Sequence, residues 1–167
     1  IMPAWQRAFI GIKIVTIFPE NGKKALPGLF SSYLLCDGDT GQHIALIDGN
    51  EITSRRTAAI GALGANFLAR KDSRKLLICG SGRIASLLAD AFAAVRPIDK
   101  VAVWNVNEAG AARLVFDLRA RGIDACVAND LERAVGEADI VSCATLAARP
   151  IIKGAWLKPG THLDLIG

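Results

Sequence analysis

The chain has 167 residues, 51% of them hydrophobic, and a net charge of +4. That length buries a real core and suits one domain or one and a part, which excludes a disordered chain. The charge comes as separate pairs, Lys23-Lys24, Arg55-Arg56, Arg70-Lys71 and Arg74-Lys75, and the chain holds one Tyr and three Trp. That is neither a basic stripe nor an aromatic ladder, so nucleic acid is not expected as a partner.

No apolar run approaches the ~20 residues of a membrane span, and no basic region leads into a signal segment. The expectation is a soluble protein without a membrane partner. Cys36, Cys79, Cys126 and Cys143 are far apart and show no CxxC spacing, which fits reduced thiols in a cytoplasmic protein. With only His43 and His162, no metal site is expected.

In chain order, strand and hairpin patterns come first. Gly11 to Phe18 and Ser32 to Cys36 read as strands, followed by a turn over 37–41, a strand from His43 to Ile47 and a second turn at Asp48-Gly49. A helix is predicted from about Arg56 to Arg70, with Ile60, Leu63, Phe67 and Leu68 marking an apolar face. Strands at about 76–80, 100–105, 124–128, 139–144 and 162–166 then alternate with helices at about 83–95, 108–121 and 130–137. Pro150 to Gly160 reads as a loop. Such alternation calls for a parallel sheet with right-handed crossovers. The predicted fold is α/β: a Rossmann-type parallel sheet with helices on both faces over 56–167, preceded by antiparallel β over 1–55. A β region that opens without a partner and a sheet that stops at Gly167 without a covering helix suggest part of a longer protein.

The most informative segment is Lys75 to Val95. Its apolar strand runs into Gly80-Ser81-Gly82-Arg83-Ile84-Ala85 and then into a helix, which is the turn that holds a dinucleotide pyrophosphate. Gly80 allows the bend, Gly82 lets backbone approach the phosphates, and Ala85 lets the helix pack on the sheet. NAD-specific units place an acid on the ribose about 20 to 25 residues beyond the turn. Here Asn105 stands at that point and does not repel a 2′-phosphate, so the sequence leans toward NADP over NAD. The cation that usually follows is replaced by Val106, leaving Arg83 as the nearest substitute. Ala144 and Thr145 end a strand on the ligand-binding edge, where Thr145 could meet the nicotinamide ribose or merely cap the strand.

Two further places bear on a substrate. Lys13 shares a strand face with Gly11, Val15 and Ile17; it is either an edge-strand lysine in solvent or a buried ammonium in need of an anion. Arg55 and Arg56 are placed at the start of a helix with the hydroxyls of Thr53, Ser54 and Thr57. Helix amides, hydroxyls and guanidinium groups there could bind a carboxylate or phosphate, or the arginines could simply be solvated.

Together these segments resemble the ornithine cyclodeaminase and mu-crystallin family. The resemblance is carried by Met2-Pro3-Ala4, Gly11-Ile12-Lys13, the Pro19 to Gly28 stretch, Leu46-Ile47-Asp48-Gly49, Ile52 to Ala59, the glycine turn and Trp156 to His162. The resemblance implies NAD(P)-dependent chemistry at an amino-acid carbon through an imine: cyclisation of ornithine, dehydrogenation of alanine or reduction of cyclic ketimines. It implies that Lys13 and Arg56 bind substrate, the arginine on its carboxylate, and that Thr57 and the turn from Gly80 through Ile84 hold the cofactor phosphates. It further implies that residues 1–55 are part of a substrate-binding and dimerisation domain of a homodimer. The family's catalytic aspartate would follow Gly167, so the chain by itself is expected to be inactive. A non-catalytic NADP-binding crystallin or ligand carrier is the alternative.

Overall fold

The computed structural model describes residues 1–166; Gly167, at the end of the predicted Rossmann segment, lies outside them. Two compact units are present, Ile1–Ser54 and a second that begins at Arg55.

The first unit is a four-stranded antiparallel sheet in the order β1-β2-β3-β4, made of Met2–Gln6, Phe9–Ile17, Leu29–Asp37 and His43–Asp48. The opening segment is not partnerless: β1 pairs antiparallel with β2, Met2 opposite Lys13 and Gln6 opposite Phe9. Arg7, at φ 41, takes the left-handed turn between them. Asp48-Gly49 does not make a second hairpin turn. The Asp48 carboxylate accepts the Asn50 N–H at 2.7 Å, the arrangement that starts a helix, and α1 runs over Gly49–Leu68. The predicted start near Arg56 was therefore too late by about two turns.

The second unit holds a five-stranded parallel sheet in the order β7-β6-β5-β8-β9, with β5 at Lys75–Cys79, β6 at Lys100–Trp104, β7 at Ala125–Val127, β8 at Ile140–Cys143 and β9 at His162–Leu165. Between them run α2 (Ala85–Ala93), α3 (Glu108–Ala120) and α4 (Leu131–Glu137). Residues of α1, α2 and α3 form one buried cluster with Leu76, Ile78, Val101, Val103 and Ile140, while α4 packs with Leu77, Cys79, Val141 and Cys143 on the opposite face. This is the predicted α/β arrangement with helices on both faces, and buried strands of near-continuous apolar character are what a doubly covered parallel sheet requires. No described helix is long and apolar enough to cross a membrane. The four cysteines are free thiols, three of them buried.

Two charged residues tie the second unit together. Arg96 is buried and donates through Nη2 to the carbonyls of Ala65, Asn66 and Ala69 and through Nε to that of Arg70, so a guanidinium satisfies the C-terminal carbonyls of α1. Asp139, before β8, accepts the N–H groups of Arg74 and Lys75 at 3.0 Å each and pairs with Arg70 and Lys158 at 2.9 and 3.2 Å. Burial pushes its carboxyl up, but those N–H donors and the Lys158 ammonium outweigh it and hold the pKa at about 2.

Candidate active site

The glycine turn is seated at the carboxyl edge of the parallel sheet, where the strand order reverses between β5 and β8, the crevice in which open α/β sheets bind ligands. Gly80 has φ +114 and donates its N–H to the Trp104 carbonyl at 2.8 Å. A Cβ on it would lie 2.3 Å from the Ala144 carbonyl oxygen and 3.3 Å from the Thr145 methyl. Glycine is thus required twice, by backbone conformation and by close approach. The same contact brings the turn together with Ala144 and Thr145.

Gly82 is different. Its φ is not positive, and a Cβ there would meet no described atom within 4 Å. Nothing in the chain's own packing demands glycine at this position, which leaves space beside the backbone for a ligand. Ile84 packs against the core and Ala85 is fully buried, seating α2 directly after the turn. The N–H groups of Ser86 and Leu87 donate to the carbonyls of Gly82 and Ile84 at 3.1 and 2.9 Å, so the positive end of the α2 dipole stands directly after the glycines, the arrangement that favours a phosphate. Ser81 is half-buried and Arg83 exposed.

Asn105 follows β6 and stands against the turn. Its Nδ2 donates to Ser81 Oγ at 2.9 Å and to the Asn107 carbonyl at 3.1 Å. The Asn107 side chain in turn caps α3 by accepting the Ala109 N–H at 3.1 Å. Gly110, in the first turn of α3, leaves room for this pair, since a Cβ on it would lie 2.6 Å from Ser81 Oγ and 3.0 Å from Asn105 Nδ2.

In the first unit, Lys13 lies on β2, an interior strand between β1 and β3, and is 9% exposed. It is not an edge-strand lysine in solvent. It stands directly opposite Tyr33 of β3, whose phenol fills the side-chain space above Gly11.

The arginine pair is corrected in detail. Because α1 begins at Gly49, Arg55 and Arg56 sit about two turns inside it, beyond its N-terminal amides. The hydroxyls of Thr53 and Ser54 donate to the carbonyls of Gly49 and Asn50 at 2.6 and 2.9 Å, so they serve the helix itself. The arginines therefore do not stand at the helix start, and these two hydroxyls are engaged by the helix's own carbonyls. Arg56 is exposed, and Thr57, one residue on, is buried.

Sequence reasoning missed Asp164. This half-buried residue accepts from Ser142 Oγ at 2.6 Å and faces Gly61 of α1, where a Cβ would lie 2.7 Å from Oδ2. Burial pushes its carboxyl up, against the Ser142 hydrogen bond and nearby His162, while burial pushes His162 down. The signal available was His162-Leu163-Asp164: two polar residues on one face of a strand otherwise apolar.

Comparison with known proteins agrees with this geometry. The family model described as "Ornithine cyclodeaminase/mu-crystallin family" matches residues 1–167. A Delta(1)-pyrroline-2-carboxylate reductase of Paracoccus denitrificans is 45% identical over 94% of this chain and 50% of its own length. The ketimine reductase mu-crystallin of Rattus norvegicus is 32% identical over 100% and 53%. The structure of Thermococcus litoralis Delta(1)-pyrroline-2-carboxylate reductase in complex with NADH and L-proline superposes with a TM-score of 0.88 at 36% identity, covering 93% of this chain and 49% of that one. The chain spans about half the length of the curated relatives it matches. A parallel sheet with this glycine turn, preceded by an antiparallel sheet carrying a buried lysine, and a family match over every residue lead to one conclusion: the chain belongs to the ornithine cyclodeaminase/mu-crystallin family.

Proposed function

We propose that the intact protein is an NAD(P)-dependent reductase of a small cyclic imino acid. The observation that carries this reading is the glycine turn at the switch point, with Gly80 forced by the chain's own packing and Gly82 left open beside it. Gly80 through Ile84 would hold the pyrophosphate, Thr57 would lie against the phosphates, Asn105 would meet the adenosine ribose, and Ala144 and Thr145 the nicotinamide side. Two relatives named for imine reduction, at 45% and 32% identity, support the substrate class, and the NADH in the Thermococcus litoralis structure supports the cofactor.

The cofactor supplies hydride chemistry. This chain supplies orientation and charge. The exposed guanidinium of Arg56 matches a carboxylate bidentately, and the Lys13 ammonium would stand by the imine, where positive charge favours hydride arrival at the adjacent carbon. The family resemblance adds a homodimer to the reading, and the scattered free cysteines a cytoplasmic location. The relatives give no support to a non-catalytic carrier.

The test is to supply the intact protein with Δ1-pyrroline-2-carboxylate, Δ1-piperideine-2-carboxylate, L-ornithine or L-alanine and nicotinamide cofactor, following nicotinamide absorbance and ammonia. Reduction of a cyclic imine is expected. Turnover of ornithine alone, with loss of ammonia, would replace the reductase by a cyclodeaminase; no turnover of any of them would end the reading.

A further inference from the structure

The amide of Asn105 has a fixed direction. The Asn107 carbonyl can only accept, so the atom facing it at 3.1 Å must be the NH2 group and not the amide oxygen. Both hydrogens of that group are then spent, one on Asn107 and one on Ser81 Oγ. What remains to a ligand is Oδ1, an acceptor. Gly110 closes the arrangement, since any side chain there would push into Ser81 Oγ and Asn105 Nδ2. Four segments, the glycine turn, the end of β6, Asn107 and α3, thus agree on one orientation of one amide.

Resting on the dinucleotide reading above, we propose that Asn105, oriented by Ser81 and the Asn107 carbonyl, selects NAD(H) over NADP(H). The unphosphorylated ribose offers hydroxyl donors to Oδ1. The 2′-phosphate of NADP(H), almost wholly ionised at neutral pH, offers only acceptors and meets the Oδ1 lone pairs. Val106, which follows, is exposed and uncharged. The residue identity alone leans the other way, because an uncharged asparagine does not repel a 2′-phosphate; here its NH2 group, the part that could attract one, is already engaged. Ser81 acts as a positioning residue, through Asn105.

The experiment is a fluorescence titration of the intact protein with NADH and NADPH, in the wild type and in Ser81→Ala and Arg83→Ala variants. The wild type is expected to bind NADH at least about tenfold tighter. Ser81→Ala releases one N–H of Asn105 and should narrow the ratio about threefold or more by improving NADPH binding. A purely structural role for Ser81 would weaken both cofactors equally and leave the ratio unmoved, which would overturn its assignment. Equal affinities, or a preference for NADPH, in the wild type would overturn the proposal; if Arg83→Ala abolishes that preference, the exposed arginine is the reader instead. Binding of neither cofactor would instead remove the dinucleotide reading on which the proposal rests.

Discussion

The Tyr33 hydroxyl lies 1.8 Å from where a Cβ on Gly11 would be, with Cζ at 2.6 Å. The glycine of the Gly11-Ile12-Lys13 segment is therefore explained by a ring from the neighbouring strand. Its φ is not in the left-handed region. Gly11→Ala must displace a half-buried aromatic side chain opposite Lys13 and should cost about 1–3 kcal/mol as overpacking. Denaturant melts of Gly11→Ala, Tyr33→Ala and the double variant check this: the double variant should be clearly less destabilised than the sum of the singles. Strict additivity would mean that the ring moves aside at no cost.

The two glycines of the turn should separate stability from binding. Gly80→Ala meets a backbone carbonyl and a positive φ, so it is expected to lower stability by about 2 kcal/mol or more. Gly82→Ala meets nothing in the chain and should stay within about 1 kcal/mol of wild type. It should nevertheless weaken dinucleotide binding by more than about tenfold, because its methyl enters the space meant for phosphate. Thermal melts beside cofactor titration decide the matter, and unchanged affinity in Gly82→Ala would remove the pyrophosphate from this turn.

Arg56 and the cofactor should be separable as well. Arg56→Ala is expected to raise KM for the imino acid by about tenfold or more, the cost of losing a charge-assisted carboxylate contact, while leaving cofactor affinity nearly unchanged. Equal loss of cofactor affinity would make Arg56 a phosphate ligand.

Asp139 sets an acid limit. Its folded pKa of about 2 lies below the ordinary 3.8, so the unfolded chain binds its proton more readily. The resulting stabilisation is fully present above about pH 4 and disappears as the pH falls through about 2, amounting to roughly 2 kcal/mol. Asp139→Asn should lower stability at pH 7 by a few kcal/mol, because Arg70 and Lys158 lose a shared partner, and should flatten this part of the acid profile. Urea melts at pH 7, 4 and 3 would show it.

The order of strands and helices in the second unit was legible because strand and helix periods are local properties, repeated along the chain wherever one face or both are buried. The glycine turn was legible for the same reason: bend, helix start and small residue all lie within six consecutive positions. The start of α1 was not, since Asp48-Gly49 serves a hairpin turn and a helix cap equally well until the following chain is seen to coil. That misplacement also put Arg55 and Arg56 at the helix start, about two turns from where it lies.

By itself the sequence determined the α/β class, the glycine turn between strand and helix and the family, all of which depend on residues close together in the chain. The tertiary structure decided that Lys13 is buried on an interior strand, that Tyr33 occupies the space of Gly11, and that Arg96 and Asp139 hold elements far apart in sequence. It also decided which hydrogen-bonding atom Asn105 leaves free. The physical reason is that burial and hydrogen-bond direction belong to pairs of groups. An asparagine, a lysine or a glycine has a functional meaning only once its partner across the fold is fixed.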